Sequence, residues 1–298
     1  MTRSANEYLK SILLSPVYDV AVNSDLQKLE KLSASLGNDI WLKREDQQPV
    51  KSFKLRGAYN KICQLSDEQL AKGLVASSAG NHAQGVAYSA KKKGVKATIV
   101  MPATAPDIKV EAVRNFGGEF VDVVLHGTSF EQAKEEALRL SKEYGYTMVA
   151  PFDDEDVIVG QGTIARELLE QNPDLDTLFI AVGGGGLIAG ISVFLKQLKP
   201  DLKIIAVESD ESACLQAAML AGKPVPLNHV GIFADGVAVK IIGEEPFRLC
   251  QKYVDEVITV NTDEICAAIK DIFDDTRVIA EPAGALSIAG IRKYLRTH

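Results

Sequence analysis

Short, almost continuously apolar runs recur along the chain. Each is followed by a longer stretch in which apolar residues return every three or four positions. The runs are Gly73–Ser77, Ala97–Met101, Phe120–Leu125, Leu178–Val182, Lys203–Val207 and Val257–Val260. They lack the apolar–polar alternation of a half-exposed strand, which predicts parallel strands covered on both faces. The stretches between them predict helices. The clearest is Thr128–Tyr144, with Phe130, Ala133, Ala137, Leu140 and Tyr144 on one stripe and a capping box formed by Thr128 and Glu131. Ser66 and Gln69 predict a second box. Strands alternating with helices of this length predict βαβ units and an α/β fold with a mostly parallel sheet.

Proline-containing turns at Gln47–Val50, Ala150–Asp156 and Gly222–Pro226 are the candidate seams. They predict a small α/β domain over 45–150 and a large one built from 1–44 plus 151–298. With 298 residues, 46% of them hydrophobic and 24% charged, the chain is expected to be globular throughout. Its net charge of −7 argues against a nucleic-acid or acidic-membrane partner. No run of about 18 apolar residues occurs, and the start MTRSANEYLK has no signal-peptide character, so a cytoplasmic protein is expected. Cys63, Cys214, Cys250 and Cys266 stand far apart, which predicts buried, reduced thiols. His82, His126, His229 and His298 show no clustered spacing, so no metal site is expected.

Three segments carry chemistry. The first is Gly183-Gly184-Gly185-Gly186-Leu187, directly after the strand LFIAV and before the apolar helix LIAGISVFLKQL. Glycines leave backbone N–H groups free to wrap an anion, and the helix adds its positive dipole end. A phosphate cradle follows. The absence of a Lys-Ser/Thr pair disfavours a nucleoside-triphosphate loop. Gly184–Ala189 also fits G-x-G-x-x-A, with Glu208 24 residues after Gly184, so a dinucleotide site stays open at this point.

The second segment is VKSFKLRGA. Ser52 is a candidate N-cap, which puts Lys54 in the first helical turn, where the dipole disfavours its charged form. Phe53 and Leu55 add partial burial. A lysine that is neutral part of the time can condense with a carbonyl cofactor. The third segment is SSAGNHAQG, at the carboxyl end of a strand and running into a helix. Its small residues leave amides open for a substrate carboxylate, and Asn81 offers a donor and an acceptor. A phosphate cradle, a carbonyl-condensing lysine and a carboxylate loop are what pyridoxal 5'-phosphate needs when it acts on an amino acid.

Five segments, KREDQQPVKSFKLRGAYNKI, SSAGNHAQGVA, VGGGGLIAGI, FADGVAV and EPAGALSIAG, resemble the threonine-deaminating branch of the tryptophan-synthase-β-like pyridoxal-phosphate enzymes, biosynthetic type. The resemblance runs over nearly the whole chain in the family's order. It implies two open, mostly parallel twisted sheets covered by helices. It also implies deaminating β-elimination of L-threonine, and of L-serine, to 2-oxobutanoate or pyruvate and ammonia, as the first step of isoleucine biosynthesis. Lys54, beside Phe53, is then the lysine that holds the cofactor, and Asn81 bonds its ring hydroxyl. Gly183, Gly184, Gly185, Gly186 and Leu187 hold its phosphate. Ser78, Ala79, Gly80, Asn81 and His82 form the substrate-carboxylate loop. Ala79 stands where the family's serine racemases carry an acid/base serine, which favours elimination. Of their cation ligands only Glu208 has a counterpart, the others being Ser212 and Cys214.

The resemblance further implies a homodimer or homotetramer acting on a small amino acid. The chain ends at Thr297 and His298, where the family's Ser-Gly-Ala/Gly-Asn strand is expected to begin, and the C-terminal regulatory domain is expected to be absent. Two other readings remain: an NAD-dependent oxidoreductase using the G-x-G-x-x-A turn with Glu208, and an inactive cofactor-binding fragment. Asp153, Asp154, Asp235 and Glu281 are expected to be capping or solvated groups.

Overall fold

The computed structural model describes residues 2–297, so Met1 and His298 lie outside the described residues. These divide into two compact units. One comprises the residues up to Leu13, Ser24–Arg44 and the chain from Ile164 onward; the other comprises Leu14–Asn23 and Glu45–Thr163.

The second unit is built on four parallel strands among the described residues, β3 (Leu74–Ser77), β4 (Ala97–Met101), β5 (Val121–Leu125) and β6 (Thr147–Met148), in the order β5-β4-β3-β6. Successive side chains of a strand point to opposite faces. Leu74, Ala76, Ile99 and Met101 accordingly face a core with Ala58, Ile62, Ala83, Val86 and Val113, from the helices Lys54–Cys63, Asn81–Lys93 and Asp107–Gly117. Val75 and Val100 face the other way, onto Ala133, Ala137 and Leu140 of the helix Phe130–Tyr144. Both faces are covered, which is why these strands carry no polar stripe.

In the first unit three parallel strands run in the order β7-β8-β9: β7 (Thr177–Ala181), β8 (Lys203–Ser209) and β9 (Glu256–Val260). Val207 and Val260 pack with Ile265 and Ala268 of the helix Thr262–Thr276 and with Ala285, Leu286 and Ala289 of the helix Pro282–Thr297. A Cβ at Gly290 would lie 2.5 Å from the Val207 side chain, so glycine lets this last helix press onto β8. The helix Gly186–Leu198 is buried at Ile188, Ala189, Ile191, Val193, Phe194 and Leu195, as a helix apolar on all sides should be.

The expected α/β architecture with parallel, helix-covered sheets is present. The periodicity missed an antiparallel ribbon, β1 (Leu26–Lys28) with β2 (Trp41–Lys43), and the two-residue β6. Segments of two or three residues are too short to show a period. β8 runs two residues past Val207, which brings Glu208 into the strand. Two of the expected four cysteines are buried, Cys214 and Cys250; Cys63 is half-buried and Cys266 exposed. The box at Ser66 and Gln69 forms. The one expected at Thr128 does not: the helix starts at Phe130, and Ser129 caps it by accepting from the Gln132 amide. Gln132 reaches back to the Thr128 amide at 2.7 Å, doing what Glu131 was expected to do. Ser129→Ala should therefore lower stability by about 1 kcal/mol in urea denaturation, and Thr128→Ala by less than half of that.

Candidate active site

Lys54 is the first residue of its helix. The Ser52 hydroxyl accepts its amide at 3.3 Å, close to the expected cap, while Phe53 takes the N-cap position itself. The chain reaches this helix through Lys51, which sits at φ 60°, a left-handed conformation that costs a non-glycine residue about 1–2 kcal/mol. The half-buried Lys54 Nζ donates to the Pro151 carbonyl at 3.0 Å and lies 5.4 Å from the Phe53 ring centroid.

The helix that carries Lys54 is seated backbone to backbone. A Cβ at Gly85 would come within 3.0 Å of the Lys54 carbonyl carbon and the Leu55 amide, and one at Gly160 would collide with the Arg56 carbonyl oxygen. Gly57 faces Gln161, whose side-chain oxygen accepts the Gly57 amide at 3.1 Å. Arg56 is fully buried. Its Nε and Nη2 grip the two Glu45 oxygens at 2.8 Å each, Nη1 donates to Thr163 Oγ1 at 3.1 Å, and Nη2 also reaches the Val22 carbonyl. Sequence reading missed this strut. An arginine two residues after a lysine reads as a solvated cation, and nothing local marks Glu45 or Thr163 as its partners.

β3 ends at Ser77, and the loop from Ser78 to Gly80 leads into the helix Asn81–Lys93. Ser78 Oγ accepts the Gly80 amide at 3.2 Å. A Cβ at Gly80 would meet nothing within 4 Å, so the space beside this loop is open. Ser78, Ala79, Gly80 and Asn81 are half-buried, whereas His82 is buried. His82 Nε2 donates to the Val149 carbonyl at 2.9 Å, which leaves Nδ1 as an acceptor; Nδ1 and Ser77 Oγ are buried without a partner among the described residues. Burial, with the Lys54 charge adding to it, pushes His82 down to about 3.

The third segment follows β7 in the other unit. A Cβ at Gly183 would lie 2.9 Å from the Val237 Cα, and Gly185 sits at φ 87° with Pro246 and Ile242 against it. Gly183 demands glycine for sterics, and Gly185 for both sterics and conformation. The helix Gly186–Leu198 begins here, and the first amides of a helix have no carbonyl four residues back to bond. Glu208 is not open to a ribose hydroxyl. It is fully buried, and its two oxygens accept the amides of Leu215 and Gln216 at 2.7 and 2.8 Å. Desolvation pushes it up to about 7 in spite of those amides. The dinucleotide reading therefore loses its acidic partner.

Of the four remaining acids, Asp154 caps the helix that starts at Glu155, accepting from the amides of Asp156 and Val157, and pairs with Lys61 at 2.8 Å. Asp153, Asp235 and Glu281 are exposed.

Two parallel α/β units, a lysine opening a rigidly seated helix and a strand-to-helix glycine turn define the class. The chain belongs to the pyridoxal-phosphate dependent enzymes, whose family profile matches residues 17–298. Among curated proteins it is similar to the L-threonine dehydratase biosynthetic IlvA of Escherichia coli K12, 58% identical over 98% of this chain and 56% of that protein. The Pasteurella multocida protein of the same name is 59% identical with the same coverage. The chain thus spans a little over half the length of these relatives. Among solved structures it is similar to the processed form of threonine deaminase isoform 2 from Solanum lycopersicum, with a TM-score of 0.96 and 50% identity over 98% of this chain and 84% of that one. Maize serine racemase matches with a TM-score of 0.92 and 32% identity over 97% and 88%. The cofactor expected from the three segments is the one this family uses. No comparison supports the oxidoreductase alternative.

Gly160→Ala should push the Lys54 helix off its seat at a cost of about 1–3 kcal/mol, read as a lower urea midpoint. His82 gives a pH prediction. Its folded pKa lies below the ordinary 6.5, so below that pH the unfolded chain takes up a proton that the folded chain refuses. Stability from this group falls on acidification, by roughly 3 kcal/mol at pH 4. The stability gap between wild type and His82→Gln should therefore narrow or reverse between pH 7 and pH 4 in the same assay.

Proposed function

We propose that this chain catalyses the deaminating elimination of L-threonine, and of L-serine more weakly, to the 2-oxo acid and ammonia. The observation that carries the reading is the seating of Lys54 within a chain that is, over 98% of its own length, 58% identical to a little over half of a named threonine dehydratase.

The residues fit pyridoxal 5'-phosphate. Gly183, Gly184, Gly185, Gly186 and Leu187 would hold the phosphate on backbone amides at a helix N-terminus, in a turn where a Cβ at Gly183 or Gly185 has no room. Lys54 would hold the aldehyde, with the Phe53 ring beside it, and Asn81 would bond the ring hydroxyl. When bound, the cofactor supplies an electron-withdrawing ring that stabilises negative charge at the substrate Cα.

Ser78, Ala79, Gly80, Asn81 and His82 would take the substrate carboxylate on the amides of a helix start. The His82 imidazole stays neutral there, so it adds no charge of its own. Lys54 Nζ would be the base that takes the substrate Cα proton. Ala79 puts no hydroxyl into the loop, which withholds a second acid/base from Cα. The β-hydroxyl would then leave, and with the proton taken from Cα it makes one water; the released enamine would take up water to give the 2-oxo acid and ammonia, in place of a re-protonated amino acid. The preference for threonine over serine rests on one methyl group, worth about 1–3 kcal/mol in a fitted pocket. A homodimer or homotetramer and a cytoplasmic setting belong to the same proposal. No helix among the described residues is long and apolar enough to cross a membrane.

Lys54→Ala should abolish the visible absorbance of the bound cofactor and cut 2-oxobutanoate formation from threonine by roughly 10²–10⁴-fold, the usual worth of a positioned acid/base. A variant that kept both the colour and the turnover would rule out the assigned role. A wild-type chain that is coloured but makes no 2-oxobutanoate would instead be a cofactor-binding fragment.

A further inference from the structure

A loop that binds an anion through its backbone works only if its amides are held in place, and an amide is held through the carbonyl on the other edge of the same peptide. In a planar trans peptide the C=O of one residue and the N–H of the next point in opposite directions. Two successive carbonyls of the glycine turn are anchored in this way. The Gly184 carbonyl accepts from the Gly243 amide at 3.3 Å. The Gly183 carbonyl accepts from a side chain, Cys214 Sγ, at 3.2 Å. The Gly184 and Gly185 N–H groups are therefore turned to the edges away from Gly243 and Cys214.

Cys214 opens the helix Cys214–Ala221 and is fully buried. The two amides that follow it, of Leu215 and Gln216, are the ones gripped by Glu208 from the end of β8. Glu208 thus pins the start of this helix to the sheet and with it the position of the sulfur. Desolvation, with the Glu208 charge adding to it, pushes the Cys214 thiol up to about 12, so the thiol keeps its proton between two acceptors, the Gly183 carbonyl and the Glu208 carboxylate. Cys250 is as deeply buried, and its thiol is also raised by desolvation, but no bond to the glycine turn is seen among the described residues.

We propose that Cys214 is a positioning residue for the cofactor's phosphate: its thiol, bonded to the Gly183 carbonyl, keeps the Gly184 amide turned for anion binding. This rests on the reading of the glycine turn as the phosphate cradle. It adds that a side chain outside the motif sets the cradle's geometry.

The test is a spectrophotometric titration of pyridoxal 5'-phosphate, and separately of phosphate-free pyridoxal, into the 298-residue chain and its variants. Cys214→Ala should weaken pyridoxal 5'-phosphate binding roughly three- to tenfold, the fold-change of one modest hydrogen bond, and leave pyridoxal binding within about twofold. Cys214→Ser, which keeps a donor, should bind within about twofold of wild type. Cys250→Ala should leave both affinities alone while lowering the melting temperature. If Cys214→Ala fails to fold, Cys214→Val fills the site without a donor and takes its place in the comparison. Unchanged affinity in the donor-less variant would overturn the proposal. So would equal losses for the two aldehydes, or equal losses in the serine and alanine variants, because those results assign the cysteine to packing. A wild-type chain that distinguishes poorly between the two aldehydes would overturn the cradle reading itself.

Discussion

Everything proposed for Lys54 depends on how close its helix can approach its neighbours. A lysine nitrogen sits at the end of four rotatable bonds, so its position is no better defined than the backbone that carries it. Here that backbone touches other main chain directly, at Gly85 on one side and Gly160 on another. Any side chain at those two positions would lift the helix. A displacement of about 1 Å at a reacting atom can cost on the order of 10²-fold in rate. The Arg56–Glu45 pair strengthens the same seat. Two residues after Lys54, a guanidinium with no exposure is bonded to a carboxylate, a hydroxyl and a carbonyl. Removing one partner of such a pair leaves an uncompensated buried charge, worth about 3–5 kcal/mol, so the strut resists distortion more than it adds net stability.

The glycine turn meets the same requirement by different means. It offers no side chain, so its chemistry is carried by amides whose directions are set by where the opposite carbonyls are tied. One tie runs to backbone and one to the Cys214 thiol. Burial also decides what Glu208 does. The same residue at the end of a strand could hold a ribose hydroxyl if water reached it. Enclosed, it takes the amides of a helix start, and desolvation raises its pKa to about 7.

The segments assigned to chemistry share a placement. The Ser78 loop follows the carboxyl end of β3 and the glycine turn follows that of β7. These are the ends of parallel strands at which open α/β sheets bind ligands, since each strand there hands over to a helix whose first amides are unbonded. Family membership supplies the cofactor, and the local geometry explains why these segments are glycine-rich and small.

What the sequence by itself determined is whatever depends on neighbours along the chain. The buried strands were legible because a strand covered on both faces must be apolar at every position. The Ser66 box was legible because its two partners are three residues apart. That Lys54, Asn81 and the glycine turn each stand at a helix start was legible because the residues that open a helix are neighbours along the chain. Only the tertiary structure decided that Arg56 is wholly buried against Glu45 and Thr163, and that Glu208 is consumed by a helix start. It also decided that Cys214 reaches the Gly183 carbonyl 31 residues away. The physical reason is that burial and close approach belong to pairs of residues far apart in sequence, and no local period or propensity carries information about a partner that far along the chain.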